Sequence, residues 1–299
     1  MRIGIVLLPQ ERWEQARPRW ERAEQYGFDH AWTYDHLAWR SLADEPWFAT
    51  VPLLAAAAAV TERIRLGTWV ASPNYRHPVP FAKDVMGLDD ISRGRLLLGL
   101  GAGGGGYDAG VLGPAPTPGE RSARFAEFVD VLDALLTTPV TEHVGEHYEA
   151  HGARMIPGCV QRPRVPFVVA ANGPKAMRVA VRHGQGWATV GPEVDPDAAP
   201  ARALEQWWAG LTGLVERFES AAREAGRDPS TIDRYLNVDA APVFSLESVE
   251  AFLDAVGRAA ALGFTDVVVH WPRQDGVYAG SEAVLDEVAD RLDALRAGG

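Results

Sequence analysis

The sequence predicts an α/β fold in which eight parallel strands alternate with eight helices, and three observations carry that expectation. Dividing 299 residues by eight gives about 37 per unit, the size of one strand, one helix and two loops. Short β-branched or Leu-rich runs alternate with amphipathic stretches along the whole length, the signature of repeated βαβ units. The strand-like runs are apolar with little polar alternation, as expected where both faces of a parallel sheet are covered. Eight such units close into a barrel or lie open as a doubly wound sheet, and periodicity does not choose between the two.

Strands are expected at 2–8, 30–34, 65–70, 96–99, 166–170, 187–190, 235–239 and 266–270. Helices are expected near 11–26, 47–61, 78–92, 120–136, 174–183, 200–225, 245–261 and 281–296. In the fourth helix Phe125, Phe128, Val129, Leu132, Leu135 and Leu136 recur at helical spacing and form one apolar stripe. Pro78 and Pro174 suit first helical turns, and Ser245 with Glu247 and Ser248 suits an N-cap. Residues 193–199 read as an irregular loop and 139–166 as a longer excursion. With no linker or low-complexity tract, 1–299 reads as one domain.

Composition removes several classes. Hydrophobic residues at 47% and charged residues at 23% exclude wholesale disorder. The formal net charge of −11 repels phosphate backbones, so nucleic acid is not an expected partner. The single Cys159 excludes an intrachain disulfide and any multi-cysteine zinc site. Residues 1–8 are too short for a signal peptide, and the near-apolar run 51–60 falls short of the roughly 20 residues a bilayer requires. A soluble cytoplasmic protein without membrane contact is expected.

Four motifs bear on chemistry. Gly99-Leu100-Gly101-Ala102-Gly103-Gly104 contains a formal G-x-G-x-x-G after a strand. A dinucleotide fingerprint opens a helix directly at that loop, whereas here Gly105, Gly106, Gly110 and several prolines follow, and a helix begins only near Gly119. The bare backbone still suits an anion. His143-Val144-Gly145-Glu146-His147 formally matches H-x-x-E-H, but Gly145 and nearby Pro139 favour an exposed hairpin over the helix that zinc chemistry needs.

Asp35-His36 directly follows the second strand, where a barrel's active face lies, and an adjacent carboxylate can orient a histidine that exchanges protons near neutral pH. His270 and Trp271 occupy a comparable position. Ala170-Ala171-Asn172-Gly173-Pro174-Lys175 joins the fifth strand to a helix whose free N–H groups face the mouth, and Lys175 is one of two lysines in the chain. Trp207 and Trp208 fit a packed amphipathic helix or a subunit contact. A metal-dependent barrel hydrolase would need more strand-end ligands than His36, Asp239 and His270.

These loops form an ordered series. It runs through Gly27-Phe28-Asp29-His30-Ala31-Trp32, Tyr34-Asp35-His36, the stretch 61–68, Arg76-His77-Pro78, Ser92-Arg93-Gly94, the glycine loop 99–106, the stretch 166–174 and Gly184-Gln185-Gly186-Trp187. The series resembles the bacterial luciferase-like superfamily of flavin- and deazaflavin-dependent oxidoreductases, from residue 2 to about 190, with a weaker echo at 263–270.

The resemblance implies a (β/α)₈ TIM barrel carrying coenzyme F420 or FMN at its C-terminal mouth. The Asp35-His36 pair and the short chain favour coenzyme F420, with FMN and luciferase-type monooxygenation as the alternative. It further implies that Asp35 lies beside the cofactor ring, with His36 the catalytic proton carrier. Trp69 and Val70 match a non-proline cis peptide behind the ring. Ser72, Ala102, Gly103 and Tyr107 line the ring and its side chain, and Ala170, Ala171, Asn172, Gly173 and Pro174 close around the cofactor.

Trp39, Arg40 and His270 are the substrate-side candidates, and no metal is expected. Relatives that oxidise sugar phosphates carry a glutamate, a tryptophan and a lysine where this chain has Gly104, Arg40 and Glu193, so a different and less anionic small-molecule substrate is expected. A homodimer is implied, and a non-catalytic flavin-binding barrel is the remaining alternative.

Overall fold

The computed structural model describes residues 1–297 and closes eight parallel strands into a barrel, which settles the choice between barrel and open sheet. The strands are β1 (Arg2–Val6), β2 (His30–Thr33), β3 (Arg65–Thr68), β4 (Leu96–Leu100), β7 (Phe167–Ala170), β8 (Gly186–Thr189), β9 (Asp233–Asn237) and β10 (Asp266–His270). The ring runs β1-β10-β9-β8-β7-β4-β3-β2. Between β4 and β7 the chain makes an antiparallel hairpin, β5 (Val140–Val144) and β6 (Glu149–Arg154). The shell consists of α1 (Trp13–Gln25), α2 (Thr50–Val60), α3 (Pro78–Ile91), α4 (Tyr107–Gly110), α5 (Pro118–Thr137), α6 (Pro174–His183), α7 (Pro200–Glu224), α8 (Val249–Ala261), α9 (Glu282–Ala289) and α10 (Leu292–Ala297).

Strand alternation divides the apolar residues into two cores. Ile3 and Ile5 of β1, Leu96, Leu98 and Leu100 of β4, and Val267 and Val269 of β10 pack outward against the helices. Val6, Trp32, Leu97, Val168, Ala188, Tyr235 and Val268 fill the interior. Toward the N-terminal end the interior is sealed by His30, Trp32 and Tyr235, and glycines on neighbouring strands make room for these rings. A Cβ on Gly4 would lie 1.9 Å from the His30 ring, one on Gly67 2.3 Å from Trp32, and one on Gly186 2.7 Å from Tyr235. Trp32 Nε1 donates to His30 Nδ1 at 2.6 Å, so His30 Nε2 is the donor to Asp266 at 2.9 Å, and Arg2 grips the same carboxylate. His30, Trp32 and Asp266 are buried and partnered, which offsets the cost of burying their polar groups.

Departures from the expected elements have local causes. Ser245 does not cap α8; Ser248 does, accepting from the Ala251 N–H, while the Ser245 hydroxyl donates to Asp239 at 2.6 Å. The stretch near 281–296 is two helices, α9 and α10. Residues 107–110 add a one-turn helix before the capping box of α5, in which Thr117 and Glu120 satisfy each other's backbone N–H groups.

His143 and His147 lie on the expected hairpin and its turn, where Glu127 of α5 accepts from the His147 and Tyr148 N–H groups. Gly145 leaves the space that Glu127 occupies, since a Cβ there would meet its carboxylate at 2.0 Å. Trp207 and Trp208 are buried in the α7 face. No helix among the described residues is long and apolar enough to cross a membrane.

Candidate active site

The C-terminal ends of the strands form a mouth whose two halves are built differently. On one side β4 runs into the glycine loop. Gly99 accommodates backbone: a Cβ there would lie 1.9 Å from the Thr68 carbonyl oxygen. Gly101 leaves room for Val70, whose Cγ2 would be 2.6 Å from an added Cβ, and the Trp69-Val70 peptide is cis. Gly103 has φ +75°, a conformation that favours glycine, and faces the Asn74 side chain. Asn74 Nδ2 donates to the Gly104 carbonyl at 3.2 Å and so ties the loop to the segment after β3, where Ser72 is buried. Beyond it the loop is bare, and a Cβ on Gly106 would meet nothing within 4 Å. Ala102 is half-buried, and Tyr107 is 55% exposed.

The same side receives the end of β7. Ala170 is half-buried and Ala171 buried, and Asn172 is fastened at both ends of its amide. Its Nδ2 donates to the Gly191 carbonyl at 2.7 Å, and its Oδ1 accepts from the Thr189 hydroxyl at 2.6 Å. Gly173 caps α6 with no side-chain bond and Pro174 occupies the first turn, so the next N–H groups and exposed Lys175 face solvent at the positive end of the helix dipole.

His36 connects this side to the end of β2. Its Nδ1 lies 2.6 Å from Oδ2 of Asp108, a buried carboxylate on α4 whose Oδ1 accepts from the Leu37 and Ala38 N–H groups. Trp47 Nε1 donates to the His36 carbonyl at 2.8 Å. The carboxylate acts as acceptor toward Nδ1, and His36 Nε2 has no partner among the described residues.

The neighbouring Asp35 does not orient His36. Both its oxygens bind the Arg76 guanidinium at 2.6 Å. Burial pulls that guanidinium's pKa down, but the pair with Asp35 outweighs burial and holds it above the ordinary value.

The other half of the mouth is filled with side chains. Asp239, after β9, accepts from the Ser245 N–H and hydroxyl on one oxygen and from the His270 N–H and Nδ1 on the other. His270 Nε2 meets the Tyr34 hydroxyl at 2.8 Å, and Tyr34 meets the Tyr278 hydroxyl at 2.9 Å. Tyr278, with φ +62°, stacks on the His270 ring at 3.7 Å. Burial raises both phenols above their ordinary pKa, so both remain protonated at neutral pH.

Trp39 packs on Tyr34 and Tyr278, and exposed Arg40 lies over the Trp39 ring at 5.1 Å. The structure therefore groups Trp39, Arg40 and His270 on one side and the glycine-loop and β7-end residues on the other, with His36 between them. Sequence reasoning missed Asp108, Arg76, Tyr34 and Tyr278. Tyr34 and Arg76 stand within the ordered loop series without a role assigned, and Asp108 is a carboxylate directly after the glycine loop, whereas Tyr278 left no local sign. Among the described residues no group of three or more His, Cys, Asp or Glu side chains is arranged to hold a metal ion.

Comparison with known proteins places the chain among luciferase-like oxidoreductases. A family model described as luciferase-like monooxygenase matches residues 1–297. An F420-dependent glucose-6-phosphate dehydrogenase of Beutenbergia cavernae is 31% identical over 91% of each chain. The 4-hydroxyprotoasukamycin monooxygenase of Streptomyces nodosus subsp. asukaensis is 34% identical over 72% of this chain and 54% of its own. The coenzyme F420-dependent tetrahydromethanopterin reductase of Methanopyrus kandleri superposes with a TM-score of 0.75 at 20% identity, covering 96% of this chain and 97% of that one.

Proposed function

The chain belongs to the luciferase-like monooxygenase family and is an oxidoreductase, and from that premise we propose that it transfers hydride between coenzyme F420 and a small, weakly charged organic substrate. The observation that carries the reading is the His36–Asp108 pair, which fastens a histidine with a free Nε2 to the bare glycine loop. We further propose that 1–299 acts as one domain, in the cytoplasm, as a homodimer.

The residues fit a flat anionic cofactor. Gly101 and Gly103 remove side chains from one wall, Val70 supports it, and the uncapped start of α6 offers N–H groups to a phosphate. Trp69, Ser72, Ala102 and Tyr107 extend that wall, and Ala170, Ala171, Asn172, Gly173 and Pro174 form its far edge. Asp35 supports the wall through Arg76. When bound, a deazaflavin supplies a carbon that accepts or gives hydride and does not readily activate oxygen.

The chain's own part is the proton. Asp108 holds the tautomer in which Nδ1 carries hydrogen, leaving His36 Nε2 to take a proton from a substrate oxygen or return it. Trp47 fixes the backbone beneath, and Tyr34 and Trp39 keep water from that side. Gly104 carries no glutamate and Glu193 is exposed, so the sugar-phosphate chemistry named for the Beutenbergia relative is not assigned here. FMN-dependent monooxygenation is the second reading, favoured by the Streptomyces relative.

Titration of the purified protein with coenzyme F420 and with FMN, followed by tryptophan fluorescence, separates the two. Tight F420 binding is expected, and FMN binding without F420 binding would overturn the assignment. His36→Ala should lower turnover by about 10²–10⁴-fold with cofactor affinity nearly intact. Unchanged turnover would remove His36 from the mechanism.

A further inference from the structure

The filled half of the mouth holds four polar groups whose hydrogen bonds the hydride-transfer scheme does not use, and with His270 neutral those bonds run in one direction. Asp239 accepts four bonds from two N–H groups, one hydroxyl and one imidazole nitrogen, so it is saturated as a carboxylate. His270 must therefore carry its hydrogen on Nδ1, and in the neutral ring Nε2 is an acceptor. The Tyr34 hydroxyl, 2.8 Å away, donates to it. Having one hydrogen, Tyr34 can only accept from Tyr278 at 2.9 Å. The Tyr278 hydroxyl, with its hydrogen committed inward, presents lone pairs and no donor.

The surroundings define what reaches those lone pairs. Tyr278 is half-buried and is flanked by Trp39, with rings 6.3 Å apart and nearly parallel, and by Phe244 at 6.0 Å. Trp39 and Trp47 both pack on Tyr34, whose ring is 5.9 Å from that of His36. Arg273 binds Glu45 at 2.8 Å and Asp239 is bound as described, while exposed Arg40 lies over the Trp39 ring and adds a positive charge beside the wall. The wall is flat and aromatic, with Arg40 at its rim and a single oriented acceptor.

We propose that Tyr278, held by Tyr34, His270 and Asp239, selects substrates that present a hydroxyl hydrogen on a flat frame. Tyr278 touches the substrate, and the other three are positioning residues. The inference rests on the mouth being the substrate site, and not on which cofactor binds there.

Phenol, benzonitrile and toluene test it on the full-length protein, with and without bound coenzyme F420, by tryptophan fluorescence. Phenol can donate a hydrogen bond, benzonitrile can only accept one, and toluene can do neither. Phenol is expected to bind about tenfold tighter than toluene, and benzonitrile no better than toluene. Tyr278→Phe should bring phenol to the toluene level while leaving toluene binding unchanged.

Tyr34→Phe frees the Tyr278 hydrogen, so benzonitrile should gain over toluene in that variant. The nitrogen-15 spectrum of the His270 ring should show the tautomer protonated on Nδ1, a state that packing alone would not dictate. Equal binding of phenol and toluene, equal weakening of all three probes by Tyr278→Phe, or an imidazolium at His270 at pH 7 overturns the proposal. Absent F420 binding with phenol selectivity intact would count against the cofactor assignment and leave this inference standing.

Discussion

From β3 to β8 the barrel mouth is lined by Gly99, Gly101, Gly103 and Ala170, whereas from β9 round to β2 it is packed with Asp239, His270, Tyr34 and Tyr278. The first half owes its form to missing side chains. Its backbone is fixed by strand pairing and by Asn74, so rotamer choice barely affects it. The second half owes its form to a chain of hydrogen bonds between groups on separate segments, and one lost hydroxyl reorients the rest. A surface of the first kind suits a ligand met in the same way every time. A surface of the second kind suits discrimination, because it fixes donor and acceptor identity as well as shape.

The comparison can be broken by placing side chains where the first half has none. Gly99→Ala drives a methyl to within 1.9 Å of a backbone carbonyl, and roughly 4 kcal/mol of destabilisation is expected, a fall in Tm of about 10 °C or more. A Tm within a few degrees of the parent would show that the cleared half has slack. The seam between the halves comes next. Asp35→Asn leaves the Arg76 guanidinium short of a charge partner in a buried site, and chemical denaturation should report a loss of about 3 kcal/mol.

A smaller effect sharpens the contrast. Asp108→Asn should lower turnover roughly tenfold while the melting temperature changes little, because Asp108 contributes chiefly the orientation of His36. Equal effects on turnover and stability would make that pair structural.

The smallest effect is a control in the helical shell. There His183 and Arg164 hold the Asp133 carboxyl down at about 2, against an ordinary 3.8. Because the folded value is the lower one, the stabilisation is complete above about pH 4 and is lost as pH falls through about 2. Asp133→Asn should flatten acid unfolding in that window and leave ligand binding at both halves untouched.

The same contrast governs what could be read from the sequence. The eight strands, the glycine loop, Pro174-Lys175 and Asp35-His36 are local signals, and periodicity or composition exposes them. Asp108 lies 72 residues from His36, and Tyr34 lies 236 residues from His270, so no spacing rule joins them. The adjacent Asp35 looked like the partner of His36 because proximity in sequence was the only distance available. Arg76 competes for it with two bonds and leaves the role to Asp108. Likewise Ser245 had the composition of a helix cap, but buried Asp239 offered its hydroxyl a better acceptor. Polar contacts across the barrel were thus invisible, while backbone shape was largely legible.

Beneath both halves, His30, Trp32 and Tyr235 seal the interior against glycines on the neighbouring strands. The barrel is consequently a cul-de-sac. Whatever enters the mouth departs by the route it came. Entry and exit share a single doorway, because the plug at the far end closes the other route.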